Sequence, residues 1–181
     1  MTFSPNEKYE GYFVNGQKDG YGVYYYPDGS TYQGEWKQGL RHGRGTLTLK
    51  SGDKYTGQWE KDVRHGRGVY QYKTGDVYEG EWKENKKHGN GVLKRVNGEE
   101  YDGQWKNGLK DGRGEFKFQN GDVYKGHWKY GKRNGEGAYT WKCLDKYVGN
   151  WKDDRMNGKG MFRFANGQTL ESNFIDDALA Y

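Results

Sequence analysis

Seven tyrosines (Tyr9, Tyr32, Tyr55, Tyr78, Tyr101, Tyr124 and Tyr147) stand 23 residues apart, and four residues after each comes another ring: Phe13, Trp36, Trp59, Trp82, Trp105, Trp128 and Trp151. A fixed period of this length confines the chain to repeat architectures, in which each unit is one supersecondary element whose core is completed by its neighbours. Glycine keeps the same period. One lies between each tyrosine and its ring (Gly11, Gly34 and onward to Gly149), a G-x-G pair follows (Gly20/Gly22 to Gly158/Gly160), and two turn columns hold the rest, so all 31 glycines are in register. Seven units run without insertion over residues 9–169, starting at 9, 32, 55, 78, 101, 124 and 147. Residues 1–8 read as a lead-in. Residues 170–181 read as a partial eighth repeat, with Leu170, Ser172 and Phe174 in the Tyr, Gly and Trp columns; a degenerate end of this kind caps a repeat array.

Without the period, the composition would point to disorder: 31% hydrophobic residues, 30% charged residues and a mean hydropathy of −1.31. The aromatic fraction of 17% argues against it, because chains that cannot bury a core are poor in rings. Two prolines and glycine throughout exclude long regular helices. No apolar run is long enough for a membrane-spanning helix, and the polar start MTFSPNEKYE lacks the apolar core of a secretory leader. The single cysteine, Cys143, leaves no internal disulfide and fits a reducing, cytoplasmic setting.

Within one unit, YQGEWKQGLRHGRGTLTLKSGDK, residues Tyr32 to Lys37 alternate ring, polar, glycine, polar, ring, polar, the period of a strand with one aromatic face. QGLRH reads as a turn, residues Gly43 to Leu49 as a second strand, and KSGDK as a second turn. Each unit is thus a β-hairpin with strands of about six residues. With no linker between units, successive hairpins pair edge to edge. The fold class is all-β: an elongated, twisted single-layer antiparallel sheet, spanning on the order of 65–70 Å at ~4.8 Å per strand. A single layer needs one stripe of rings, not a three-dimensional core, and glycine beneath each strand lets those rings lie on the backbone. The sixth unit carries Leu144 where six others have glycine in the second turn, which predicts another local geometry there, such as a bulge.

The pattern Y-x-G-x-W-x-x-G-x-x-x-G-x-G, as in YQGEWKQGLRHGRG from Tyr32 and YDGQWKNGLKDGRG from Tyr101, resembles the MORN (membrane occupation and recognition nexus) repeat. The resemblance covers nearly nine-tenths of the chain. It implies elongated antiparallel sheets that serve as interaction scaffolds at membrane-proximal cytoskeleton or in cilia, with phospholipid binding, binding of partner segments and self-association among the family's attributes.

Catalytic chemistry is not expected. His42, His65 and His88 share one column, but on a meander they stand ~9–10 Å apart, too far to share a metal ion. His127 lies in another column, Cys143 has no histidine in register, and the glycine-rich stretches lack the G-K-[ST] of a phosphate loop. No cofactor is implied.

Two surfaces remain. The first is an aromatic trough for a protein partner, helical or extended, formed by Tyr24, Tyr26, Trp36, Trp59, Tyr70, Tyr72, Trp82, Trp105, Phe116, Phe118 and Trp128, whose ring edges should stay accessible on an uncovered sheet. The second is a basic edge. From the residue after each Trp-column ring to the middle of G-x-G, the seven units carry a formal +11, against a net +5 for the chain. Arg41, Arg44, Arg64, Arg67, Lys87, Lys110, Arg113 and Arg133 line that edge, and would meet anionic phospholipid or an acidic partner. Nucleic acid is disfavoured, because a narrow edge cannot wrap a duplex. A homodimer through the trough or the strand edge at Leu170–Phe174 and a purely structural role in a cytoskeletal or axonemal assembly stay open.

Overall fold

Strand periodicity is realised throughout. The computed structural model describes residues 7–179, and no helix occurs among them; residues 1–6 of the lead-in and 180–181 of the cap lie outside the described residues. Sixteen strands follow one another in chain order, and within each unit successive strands pair antiparallel. The chain divides into two compact units, residues 1–89 and 90–181. In the first unit the seven-residue strands β1 (Lys8–Val14), β3 (Thr31–Lys37), β5 (Lys54–Glu60) and β7 (Val77–Lys83) alternate with the nine-residue strands β2 (Gln17–Tyr25), β4 (Leu40–Thr48) and β6 (Val63–Gln71); β8 (Lys86–Lys94) spans the boundary at residues 89 and 90. The second unit continues with β9 (Glu100–Lys106), β10 (Leu109–Lys117), β11 (Val123–Lys129), β12 (Lys132–Thr140), β13 (Lys146–Lys152), β14 (Arg155–Arg163), β15 (Thr169–Ile175) and the two-residue β16 (Ala178–Leu179).

The first turn is shorter than its sequence suggests. It is Gln38 and Gly39 alone, at φ 51° and 83°, and β4 begins at Leu40 rather than Gly43. Positive φ at both residues is the type I′ geometry, whose twist matches that of the flanking strands. Lys61–Asp62 (48°, 68°) and Asp153–Asp154 (48°, 73°) adopt it without glycine. Arg41, read as a turn residue, is therefore a strand residue directly across from Trp36.

Between Arg41 and Gly45 the second strand carries three residues opposite Glu35 alone, a bulge with Gly43 at φ 57°. The side chain opposite takes up the amide that the bulge frees. Glu35 Oε1 accepts from Arg44 N at 2.8 Å, Gln58 Oε1 from Arg67 N at 2.7 Å, and Gln104 Oε1 from Arg113 N at 2.8 Å.

The second turn is a three-residue loop closed by bonds such as Leu49 N to Asp53 O and Gly52 N to Leu49 O, both 2.9 Å. The glycine-less sixth unit keeps this geometry, contrary to expectation: Trp141 N to Asp145 O is 2.9 Å, Leu144 N to Trp141 O is 2.8 Å, and Leu144 is held at φ 73°. The two closing bonds outweigh the steric cost of a left-handed leucine, which is on the order of 1 kcal/mol. Leu144→Gly is accordingly expected to raise stability by about 1 kcal/mol, read as a higher urea midpoint at unchanged slope. No gain would mean that the loop tolerates leucine without strain.

One face of the sheet carries the core. Each repeat tyrosine lies over a cross-strand glycine pair, Gly34 opposite Gly45 under Tyr32 and Gly103 opposite Gly114 under Tyr101. Its hydroxyl donates to the carbonyl three residues on: Tyr32 to Glu35 (3.0 Å), Tyr55 to Gln58 (2.9 Å), Tyr124 to His127 (2.9 Å). Burial pushes these hydroxyls well above the usual tyrosine range, so they stay donors. Each tryptophan of the repeat column donates Nε1–H to the carbonyl of a glycine 14 residues earlier, as Trp59 to Gly45 (3.2 Å) and Trp128 to Gly114 (3.2 Å). Tyrosine and tryptophan then alternate edge to face. In the first unit Trp59 meets Tyr55 at 5.2 Å and Tyr32 at 5.3 Å; in the second Trp128 meets Tyr124 at 5.1 Å and Tyr101 at 5.4 Å. Phe174 closes the second unit in the same column, against Tyr147 at 5.4 Å.

Candidate functional site

The tryptophans are not available to a partner. Trp36, Trp59, Trp82, Trp105 and Trp128 are 4–6% exposed, and Tyr24 is 9% exposed. Their sequence assignment to an accessible trough is corrected: Trp36, Trp59, Trp82 and Trp128 are each covered by the tyrosine and by a cation of the preceding repeat. What remains half-buried on this face is the row from the second strands. In the first unit that row includes Tyr26, Tyr70 and Tyr72; Tyr70 and Tyr72 are in contact at 4.5 Å. In the second unit Phe116 meets Phe118 at 4.6 Å, Phe118 meets Tyr139 at 5.4 Å, Tyr139 meets Trp141 at 4.8 Å, and Trp141 stacks on Phe162 at 5.7 Å.

Nor do the basic residues form one edge. Because the first turn has only two residues, Arg41, Arg64, Lys87, Lys110 and Arg133 sit on the ring face. Arg41 Cζ is 4.4 Å from the Trp59 ring centre, Arg64 Cζ 4.6 Å from Trp82, Lys110 Nζ 3.7 Å from Trp128, Arg133 Cζ 4.3 Å from Trp151 and Lys87 Nζ 5.0 Å from Tyr78. Such cation–π contacts are each worth about 0.5–2 kcal/mol. Arg44, Arg67 and Arg113 point to the opposite face, where they are exposed. Burial under the rings lowers Lys110 to about 8, from an ordinary value of 10.5.

Sequence reasoning overlooked two participants. Lys18 belongs to the same column and lies 4.0 Å over Trp36 and 4.1 Å over Tyr24; its burial also lowers its pKa. The partners of the arginines are residues of the following turn. Asp62 Oδ1 accepts from Arg41 N (2.9 Å) and Nε (3.0 Å), and its carbonyl from Nη2 (2.9 Å); Asp154 and Asn85 treat Arg133 and Arg64 alike. Where the ladder residue is lysine the turn residue 21 positions later is glycine: Gly39 N donates to Lys18 O and Gly131 N to Lys110 O, each at 2.8 Å. This Arg–Asp/Asn and Lys–Gly matching was present in the sequence as paired columns.

The opposite face of the second unit holds a groove of about 790 Å³ with a floor of Gly114, Gly126, Gly137 and Gly149. Its charges are largely paired: Lys117 with Glu100 (3.3 Å), Lys125 with Glu115 (3.4 Å), and Arg113 Nε with His127 Nε2 (3.3 Å). Among the described residues no cluster of His, Cys, Asp or Glu could hold a metal ion.

The MORN-repeat family profile matches residues 9–31, 32–54, 55–77, 78–100, 101–123, 124–142 and 147–169. The chain belongs to the MORN-repeat family. The sixth match stops just before Cys143 and Leu144, the turn that lacks glycine. No curated protein matches the chain by sequence. Among solved structures it shares its fold with the TCP domain of Drosophila melanogaster SAS-4 (dCPAP), solved in complex with a proline-rich motif of Ana2: TM-score 0.55, 15% identity, 97% of each chain covered. The TCP10 domain of Danio rerio CPAP aligns with TM-score 0.53 at 9% identity over 96% of this chain and 82% of the other. The CPAP G-box domain, described with a suggested role in centriole elongation, aligns with TM-score 0.54 at 15% identity over 85% and 82%.

Proposed function

We propose that this MORN array is a non-enzymatic scaffold that binds a segment of a protein partner along the half-buried ring row of its ring face. The observation that carries the reading is the contiguous row Phe116, Phe118, Tyr139, Trp141 and Phe162 in the second unit, half-buried and, among the described residues, with no second layer over it. Amphipathic, rigid rings in such a row supply anchors at low entropic cost. The complex of the SAS-4 TCP domain with a proline-rich motif supports an extended segment as the kind of partner, and the suggested role of the CPAP G-box domain in centriole elongation supports a cytoskeletal setting. Capture of an anionic membrane by a basic edge has less to rest on, since five of the eight basic residues assigned to it are engaged with rings.

The test is affinity capture with mass spectrometry, then titration of the captured partner against the Phe118→Ala/Trp141→Ala chain. Binding should weaken at least about tenfold while the far-UV circular dichroism is retained. Unchanged binding in the folded variant would refute the ring row as the docking surface.

A further inference from the structure

The first hairpin departs from the rule that the other hairpins of its unit obey. On the face opposite the rings, the column that holds Glu35, Gln58 and Glu81 holds Tyr12 in β1, and the column of Lys37, Glu60 and Lys83 holds Val14. In β2, Tyr21 stands in the column of Arg44 and Arg67, and Tyr25 in that of Thr48 and Gln71. Within the first unit these polar columns have become apolar in this hairpin only, and the result is exposed: Tyr12 72%, Val14 54%, Tyr21 54%. Folding does not call for this. Glu35 and Gln58 cap a bulge amide from the column that Tyr12 occupies. On the ring face Phe13 is 54% exposed, where the tryptophans of its column are 4–6%.

Among the described residues the outer edge of β1 pairs with no strand. What such an edge accepts is visible inside the sheet. In the first unit the paired strands put glycine opposite glycine: Gly11 to Gly22, Gly22 to Gly34, Gly34 to Gly45, Gly45 to Gly57. The reason is steric, since a β-carbon at Gly57 would lie 2.5 Å from the Gly68 Cα. The stretch Tyr9-Glu10-Gly11-Tyr12-Phe13 reads ring, x, Gly, x, ring in both directions. Paired antiparallel with itself, it sets glycine opposite glycine and a ring opposite Tyr9, as the sheet sets Gly22 opposite Gly34 and Tyr24 opposite Tyr32; at Phe13 a ring takes the place of the glycine that faces Trp36. The edge at the far end offers Ser172 in the glycine column and is partly covered by β16, so it fits less well.

We infer that β1 is the docking edge for a second copy of this chain, the two β1 strands pairing antiparallel about Gly11 with Tyr9 of each copy opposite Phe13 of the other. This is an isologous interface, closed by a two-fold axis perpendicular to the sheet, so both copies present their rings on the same side. It joins main-chain pairing to the burial of an apolar patch that, in the first unit, only this hairpin carries.

Sedimentation velocity on the full chain over a range of concentrations tests it. A monomer–dimer equilibrium is expected. Tyr12→Gln/Val14→Lys, which restores the residue types of the other hairpins and so preserves folding, should raise the dimer dissociation constant about tenfold or more. Mixed Glu10→Cys and Tyr12→Cys chains, both on a Cys143→Ser background, should form a heterodisulfide, because these positions face each other in that register. A monomer at all concentrations, a dimer indifferent to the double variant, or open-ended polymers from head-to-tail stacking would each overturn the inference.

Discussion

Trp59→Ala is expected to lower the unfolding free energy by about 3–5 kcal/mol, a large part of the total for a domain of this size. The ring is 4% exposed. Its loss removes two edge-to-face contacts, with Tyr55 and Tyr32, leaves the Gly45 carbonyl without its indole donor, and uncovers Arg41. Phe13→Ala, in the same column, is expected to cost under about 1 kcal/mol in the monomer, because Phe13 is 54% exposed. Urea denaturation of both variants at low protein concentration gives the comparison. Equal losses would refute the account in which the preceding repeat buries each tryptophan.

Gly68→Ala should destabilise by about 1–3 kcal/mol through overpacking. A β-carbon there would lie 2.6 Å from Cε2 of Tyr55. The ring has no room to yield: its hydroxyl donates to Gln58 O at 2.9 Å and it is wedged between Trp59 and Trp82 at 5.2 and 5.3 Å. Gly167→Ala serves as the control. That glycine has φ 88° with nothing within 4 Å of an added β-carbon, so only the left-handed penalty of roughly 1 kcal/mol applies. Thermal and urea midpoints that ranked Gly167→Ala as the worse substitution would show that backbone conformation, not the tyrosine overhead, selects glycine at position 68.

Much of this was legible in the residues. The period located every hairpin, and alternation within YQGEWK put Tyr32, Gly34 and Trp36 on one face. Glycine under a ring was foreseen from the same alternation. Other features were not. The stretch from Gln38 to His42 reads as a turn by composition, and only the closed type I′ geometry at Gln38–Gly39 shows Arg41 to be a strand residue facing the rings. Leu144 reads as a break in the rule, yet two backbone bonds hold it in the common loop.

The sequence by itself determined what is local and repeated: a 23-residue unit, two strands, one aromatic face, and the columns in which each residue type recurs. The tertiary structure decided what covers what. Phe13 and Trp59 share a column, but Trp59 has the Gly45 carbonyl, Tyr32 and Arg41 of the preceding repeat over it and Phe13 does not. Burial, and with it the division between core rings and half-buried rings, depends on residues 14 to 27 positions away, and a column pattern carries no information on whether those neighbours are in place. Period-two alternation is a property of one strand; accessibility belongs to the sheet.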